Sequence, residues 1–221
     1  MYRWYSSGVP RPRFFRLPER ERLELLRLAA EEFAREGFFG ASYNRIIEQS
    51  ALGKSSVYLA FDDKEDLFFT VVRHRLPAFD GTRPEGIAGK ARFWPTVAEW
   101  LGAFVQHAVR DPLVVPLVAT FYELLPTSTR GVALEREIHD FIVRFIVRGR
   151  ELGVVRTDLA SETLAALALG CLMTVDKLAV SHLRSPVAGA GEDLTQWIDL
   201  AVDTLRRIAS PSEPPKRRRK S

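Results

Sequence analysis

Apolar residues recur at helical spacing over most of this chain. Leu23, Leu26, Ala30 and Phe33 follow one another at steps of three and four, with Leu25, Leu28 and Ala29 widening the stripe. This predicts an amphipathic helix that opens at Pro18, a residue suited to a first helical position, and closes at Gly37 as a C-cap. A short second helix follows Ser42, a good N-cap, with Tyr43, Ile46 and Ile47 on one face and Asn44, Arg45, Glu48 and Gln49 on the other. Ala51-Leu52-Gly53 reads as a tight corner. A third short helix spans Lys54 to Ala60; Val57 and Phe61 face inward, and Lys54 and Tyr58 share another side. Asp63 caps a fourth helix whose apolar face is Leu67, Phe68, Val71 and Val72.

Residues 77–91 collect Pro77, Gly81, Pro84, Gly86 and Gly89, the best boundary in the chain. Beyond it the pattern is helical again, near 92–110, 113–125, 131–152, 161–183 and 192–208. No stretch sustains alternation of period two, so the expected fold is all-α, without a sheet. The expected organisation is a basic arm at 1–17, a helical domain at 18–76, a linker at 77–91, a second helical domain at 92–210 and a basic tail at 211–221.

Charge sharpens this picture. The 221 residues include 32 basic and 28 acidic side chains, a net of +4. The first 18 residues hold Arg3, Arg11, Arg13 and Arg16 and no acid; the last 11 hold Lys216, Arg217, Arg218, Arg219 and Lys220 against Glu213. Each end carries +4, which leaves −4 for residues 19–210. A mildly acidic body with basic ends suggests arms that touch a polyanion; the plainer reading is a pair of solvated tails.

Two short helices joined by a three-residue corner, with a third behind them, describe a helix-turn-helix. Its second helix enters a DNA major groove when its exposed side is small and polar, and the run G-K-S-S-V-Y meets that condition. Lys54 donates to a guanine edge or a phosphate, Ser55 and Ser56 to a base edge or a phosphate, and Tyr58 to a backbone oxygen. Gly53 keeps the approach free of bulk. Ser42, Tyr43 and Arg45 open the preceding helix, where backbone N–H groups hold another phosphate. Lys64 sits badly for the dipole of its own helix and makes better sense beside an anion; the alternative is a solvated lysine among Asp62, Asp63, Glu65 and Asp66. One feature opposes this reading: residues 37–67 hold three bases and five acids. Since non-specific affinity comes mainly from phosphate neutralisation, the arm at 1–17 is expected to contribute, with marked salt dependence and weaker binding when it is removed.

The run from Gly37 to Leu67 resembles the DNA-binding signature of the TetR family of bacterial regulators. The resemblance rests on Gly37-Phe38, Ala41-Ser42, Ile46, Ser56-Val57-Tyr58, Phe61 and Lys64-Glu65-Asp66-Leu67, in order and at the family's spacing. It covers roughly residues 20–75, and implies a dimeric, all-helical repressor whose second domain binds a small molecule. Three positions depart from the pattern. Ala51 stands where glycine usually fills the corner; a left-handed backbone there costs about 1 kcal/mol unless Gly53 takes the strain. Ser55 replaces the usual glycine and adds a donor. Ala60 replaces a common His or Tyr and removes a contact.

The second domain is rich in large side chains. Most are core, each contributing roughly 1.5–3 kcal/mol when buried. Trp100, Phe104, His107, Phe121, Tyr122, Phe141, Phe145 and Met173 are the candidates to line an apolar ligand pocket, although a lone histidine on a helix is more often structural. The 161–183 helix is apolar on nearly all sides and must be covered. Leu164, Ala168, Cys171 and Val175, with Leu194, Trp197, Ile198, Ala201 and Leu205 of the last helix, are the expected surface of a four-helix dimer interface. A twofold dimer calls for a palindromic operator, and a ligand that prefers the DNA-incompetent state releases it.

No G-x-S-x-G, H-E-x-x-H, phosphate loop or C-x-x-C is present, and Cys171 is the single cysteine, so neither an enzyme, a bound cofactor nor a metal site is expected. The longest continuous apolar run, Leu164 to Val175, falls short of the roughly 18 residues of a membrane span. The expected partners are double-stranded DNA, a second copy of the chain and a small hydrophobic ligand, with no membrane, in a bacterial cytoplasm. The alternatives are a helical ligand-sensing protein without DNA binding and an activator of the same fold.

Overall fold

The computed structural model describes residues 12–75, 84–125, 127–183 and 195–211. Among them are nine α-helices and no strand: α1 (Glu19–Gly40), α2 (Tyr43–Gln49), α3 (Lys54–Ala60), α4 (Lys64–Arg75), α5 (Lys90–Arg110), α6 (Val114–Leu124), α7 (Thr129–Glu151), α8 (Ser161–Leu183) and α9 (Thr195–Ala209). The all-α expectation holds, and the helices fall where the apolar spacing put them. Expected features at 1–11, 76–83 and 212–221, and the interface candidate Leu194, lie outside the described residues.

Local chemistry explains the helix ends. Pro18 is the N-cap of α1 rather than its first helical residue, with φ −53° and ψ 135°. Its carbonyl accepts the first helical bond, from the Arg22 N–H at 2.9 Å. Gly37 does break α1: it has φ 66°, a left-handed backbone that a side chain disfavours, and a last turn continues to Gly40. The buried stripe of α1 is Leu25, Leu26, Ala29, Ala30 and Phe33, whereas Leu23 is exposed. The corner before α3 carries no strain. No non-glycine described residue has positive φ, so Ala51 costs nothing there, and Gly53 has φ −61°.

Segments 12–16 and 161–182 correct the expectations. Pro12–Arg16, assigned to the arm, forms a 3-10 turn with Phe14 buried. Ser161–His182 is long and apolar enough, by length and composition, to cross a membrane, which the shorter continuous run had argued against. The same helix buries Leu164, Ala165, Ala168, Leu169 and Val175 against its own chain.

By contact the chain divides into two compact units. The first takes the described residues within Met1–Asp80, Ala103–Glu137 and Asp176–Glu192; the second takes those within Gly81–Gly102, Ile138–Val175 and Asp193–Ser221. The core of the first is aromatic. Phe33 meets Phe68 at 5.1 Å, Phe38 meets Phe68 at 5.7 Å, and Phe69 meets Phe121 of α6 at 6.2 Å, all edge-to-face. In the second unit Gly149 lets α7 approach its neighbours: a Cβ there would lie 2.3 Å from Val155 and 2.8 Å from the Phe93 ring. Arg150 donates to the Arg156 carbonyl, the Ser161 hydroxyl and the Leu159 carbonyl, which fixes the α7–α8 connection.

Candidate nucleic-acid interface

Helix α3 has two clear sides. Val57 and Ala60 are buried, as is Phe61, which ends the helix. Lys54, Ser55, Tyr58 and Leu59 are exposed, and Ser56 is half-buried. The lysine and tyrosine therefore face solvent while three apolar residues, Val57, Ala60 and Phe61, hold the rod from behind. Ala60 points inward, so the exchange of a larger residue for alanine leaves the outer face unaltered. Tyr58 reaches back to α2: its hydroxyl donates to Asn44 Oδ1 at 3.3 Å, and its ring meets Tyr43 edge-to-face at 5.5 Å.

Helix α2 is positioned from below by a residue that sequence reasoning missed. Glu32 is 3% exposed, yet it is charged. Its Oε1 accepts from the Ser42 backbone N–H at 2.9 Å and from the Arg45 guanidinium at 2.9 Å; its Oε2 accepts from Arg35. Ser42 in turn caps α2, accepting from the Arg45 N–H at 3.2 Å. One buried carboxylate thus sets the entry of the helix-turn-helix. The signal was present: position 32 is three residues past Ala29 and seven past Leu25, on the buried stripe of α1.

Three expected contacts change their meaning. Lys64 Nζ donates to the Phe38 carbonyl at 2.7 Å and the Ala41 carbonyl at 3.0 Å, and lies 4.6 Å from the centre of the Phe38 ring. It holds the end of α1 rather than an external anion, and partial burial lowers its pKa. Tyr43 turns its hydroxyl inward, where the oxygen is buried without a hydrogen-bond partner among the described residues; burial raises its pKa. Arg45 remains half-exposed but is engaged by Glu32. The exposed chemistry is concentrated on Gly53, Lys54, Ser55 and Tyr58, with Ser56 and Ser42 beside it.

The acidic residues after α3 also have an explanation. Asp63 caps α4, accepting from the Asp66 N–H at 2.7 Å, and Asp66 accepts from the Asp62 N–H at 2.9 Å. Arg130, at the start of α7, lies 3.2 Å from Asp63, 3.7 Å from Glu65 and 3.8 Å from Asp62. Ser128 donates to Glu65 at 2.6 Å and accepts from the Gly131 N–H at 2.8 Å. The local excess of acid is therefore partly neutralised by a residue 67 positions away from Asp63.

A helix-turn-helix with a slim, polar, outward-facing second helix is a DNA-reading element. Residues 25–71 match the family model described as bacterial regulatory proteins, tetR family. Over those residues the chain carries the DNA-binding domain of the TetR family. It is 25% identical over 189 residues to the HTH-type transcriptional repressor AcnR of Corynebacterium diphtheriae, covering 84% of this chain and 91% of that one. It is 23% identical over 198 residues to the HTH-type transcriptional repressor SCO4008 of Streptomyces coelicolor, covering 86% and 96%. Among solved structures, full-length TylP, a TetR regulator from Streptomyces fradiae, superposes with a TM-score of 0.64 at 19% identity, covering 86% of this chain and 87% of that one. SmeT, the repressor of the Stenotrophomonas maltophilia multidrug efflux pump SmeDEF, does so with 0.59 at 20%, covering 85% and 89%. This TetR-family chain is a DNA-binding transcriptional regulator.

The residues expected to line a ligand pocket of the TetR-family chain divide between its units. In the second, Trp100, Phe141 and Phe145 cluster, with Trp100 5.4 Å from Phe141 and Phe141 5.2 Å from Phe145. Met173 is half-buried in the same unit. In the first, Phe104, His107 and Tyr122 are half-buried and Phe121 is buried. His107 Nε2 is 2.5 Å from the Arg75 carbonyl, so its ring is committed to α4. Phe121, Phe141 and Phe145 are buried as core. Asp176, a polar neighbour of these candidates, joins Tyr122. Its Oδ2 accepts from the Tyr122 hydroxyl at 2.9 Å, and burial pushes its carboxyl up to about 6 despite that bond.

The expected dimer residues need correction. Leu164, Ala168, Val175, Ala201 and Leu205 are buried within the chain. The apolar periodicity did not distinguish the face packed against the chain's own core from the face left open. On α8 the open face is Ala166, Leu167, Gly170, Thr174 and Leu178, with Cys171 half-buried beside it. On α9, Leu200 is exposed, and Trp197 and Ile198 are half-buried.

Proposed function

We propose that this chain is a homodimeric repressor that binds a palindromic operator through α3 and leaves it when a small hydrophobic ligand binds near α6. The carrying observation is the outward face of α3, with Lys54, Ser55 and Tyr58 presented over buried Val57, Ala60 and Phe61. Two curated relatives over most of the chain's length are repressors, which favours that sign over activation. The test uses duplexes enriched by the full chain from a random pool. Lys54→Ala is expected to weaken binding at least about fivefold, since a base or phosphate contact is worth about 1–3 kcal/mol, and Tyr58→Phe by a smaller factor. Undiminished binding by Lys54→Ala would remove α3 as the reading helix.

The dimer surface we assign lies in the second unit, on the open face of α8 around Leu167, with Leu200 of α9 exposed in the same unit. These two side chains are 50% and 45% exposed, and a second copy covers such apolar surface by isologous packing. Leu167→Glu places a charge at its centre and is expected to give monomers by sedimentation; a persistent dimer refutes this face.

The ligand step follows from packing inside the first unit. Tyr122 is the neighbour of Phe121, whose ring meets Phe69 of α4. Helix α4 opens at Lys64, just beyond Phe61, the C-cap of α3. A ligand that displaces Tyr122 therefore acts on a contact leading directly to the reading head, and it lowers DNA affinity by as much as it prefers the displaced state. The setting of this chemistry is the bacterial cytoplasm, on the nucleoid when bound.

A further inference from the structure

We propose that the turn Pro12–Arg16 is a second DNA-contacting element, docked on α3 by Phe14, that grips the duplex beside the base pairs α3 reads. The inference rests on the DNA-binding reading of α3 and adds a separate surface to it. Phe14 is 4% exposed and packs edge-to-face on Phe61 at 5.3 Å. Phe61 ends the recognition helix, so the turn is fastened to the reading head itself. The Arg22 guanidinium closes the other side, 5.4 Å from the Phe14 ring and 5.8 Å from the Phe15 ring. The Leu17 N–H donates to the Phe14 carbonyl at 3.2 Å and completes the turn.

With Phe14 as the buried plug, Arg13 and Arg16 are left outside and exposed. Neither makes an ion pair among the described residues, whereas Arg27, Arg35 and Arg45 of the same domain are all engaged by carboxylates. The chain before Pro18 holds no acid at all. Unpaired guanidinium groups beside a reading helix are suited to phosphates, which they bind bidentately, and to the edge of a minor groove. They also supply positive charge that the motif lacks, since residues 37–67 carry three bases against five acids. In the sequence two further arginines, Arg3 and Arg11, precede Arg13 and Arg16.

The docking changes how this surface has to be tested. Removing residues 1–17 would also remove Phe14 from the core, and weakened binding would then report a damaged domain. The informative variant is Arg13→Ala/Arg16→Ala in the full chain, with both substitutions at exposed sites. Affinity is measured by fluorescence anisotropy over a series of KCl concentrations, on the duplex that the wild-type chain enriches from a random pool. The expected result is a loss of about tenfold at moderate salt, an unchanged melting temperature, and a salt slope reduced by roughly 2 for each chain bound, near 0.9 for every phosphate no longer neutralised. Trimming the duplex to the α3 half-sites is expected to abolish the difference between wild type and variant. Enrichment of a duplex followed by equal affinity and equal slope overturns this proposal alone. Failure of the wild-type chain to enrich any duplex overturns the DNA-binding reading and this proposal together.

Discussion

Glu32, buried, and Asp176, half-buried, are both carboxylates set into the first compact unit, and they are treated in opposite ways. Glu32 receives a backbone N–H and two guanidinium groups, from Ser42, Arg45 and Arg35. Asp176 receives one tyrosine hydroxyl, and burial holds its carboxyl near 6. The first is compensated on every side and fixes the angle at which α2 leaves α1. The second is poorly compensated, which leaves an energy difference between its two protonation states for a ligand or a proton to exploit. A fully hydrogen-bonded carboxylate suits the helix-turn-helix it braces; a poorly compensated one suits the ligand-responsive region proposed above.

The largest effect expected is at Glu32. Glu32→Ala leaves the Ser42 N–H without its acceptor in a part-buried site. Arg35 and Arg45, about half exposed, return to water, so the cost falls below that of breaking a fully buried pair. We expect about 3 kcal/mol of lost stability by urea denaturation. Glu32→Gln keeps a carbonyl acceptor for the Ser42 N–H and is expected to cost less than half of that. Equal costs for the two variants would mean that the ion pairs, not the cap, hold the corner.

Asp176→Asn sharpens the contrast from the other side. A carboxyl whose folded pKa is raised above its unfolded value binds more protons when folded. Stability is then full below the unfolded value near 3.8 and falls as pH rises through about 6. Asparagine removes that penalty and still accepts from Tyr122. The variant is expected to be more stable than wild type by roughly 2 kcal/mol at pH 7.5, with the gain gone at pH 4. Thermal melts across that range decide it; a gain independent of pH would show that Asp176 does not titrate as its burial implies.

How much of this was readable in advance depended on distance along the chain. The helices followed from periodicity, and the Ser42 and Asp63 caps from local side-chain chemistry. Each involves partners within a few residues. Lys64 was misread because its acceptors, the carbonyls of Phe38 and Ala41, meet it only when α4 folds against the end of α1. The Phe14 plug failed to show because one buried ring in a five-residue turn has no period to detect. On α8, apolar residues all round gave no way to separate Leu164, turned inward, from Leu167, turned out. The departure at Ala51 looked costly for the opposite reason: a local rule was applied to a corner whose backbone does not need it.

Arg130 extends the comparison to the surface, where the smallest effect is expected. Its guanidinium sits among Asp62, Asp63 and Glu65, and the side chains in this group are 26% to 51% exposed. Exposed pairs of this kind contribute little, so Arg130→Ala should cost under about 1 kcal/mol of stability. Its effect on DNA binding is expected to exceed that share. The carboxylates lie just beyond Phe61, and without the guanidinium their charge reaches an approaching phosphate unopposed. Operator affinity should therefore fall several-fold at low salt, and the deficit should shrink as KCl screens the repulsion. A deficit that persists undiminished at high salt would indicate instead that Arg130 shapes the start of α4 mechanically. Asp63→Asn separates the two further. It keeps an oxygen to cap α4 while removing one negative charge, so in the Arg130→Ala background it should restore part of the missing affinity if charge is the cause.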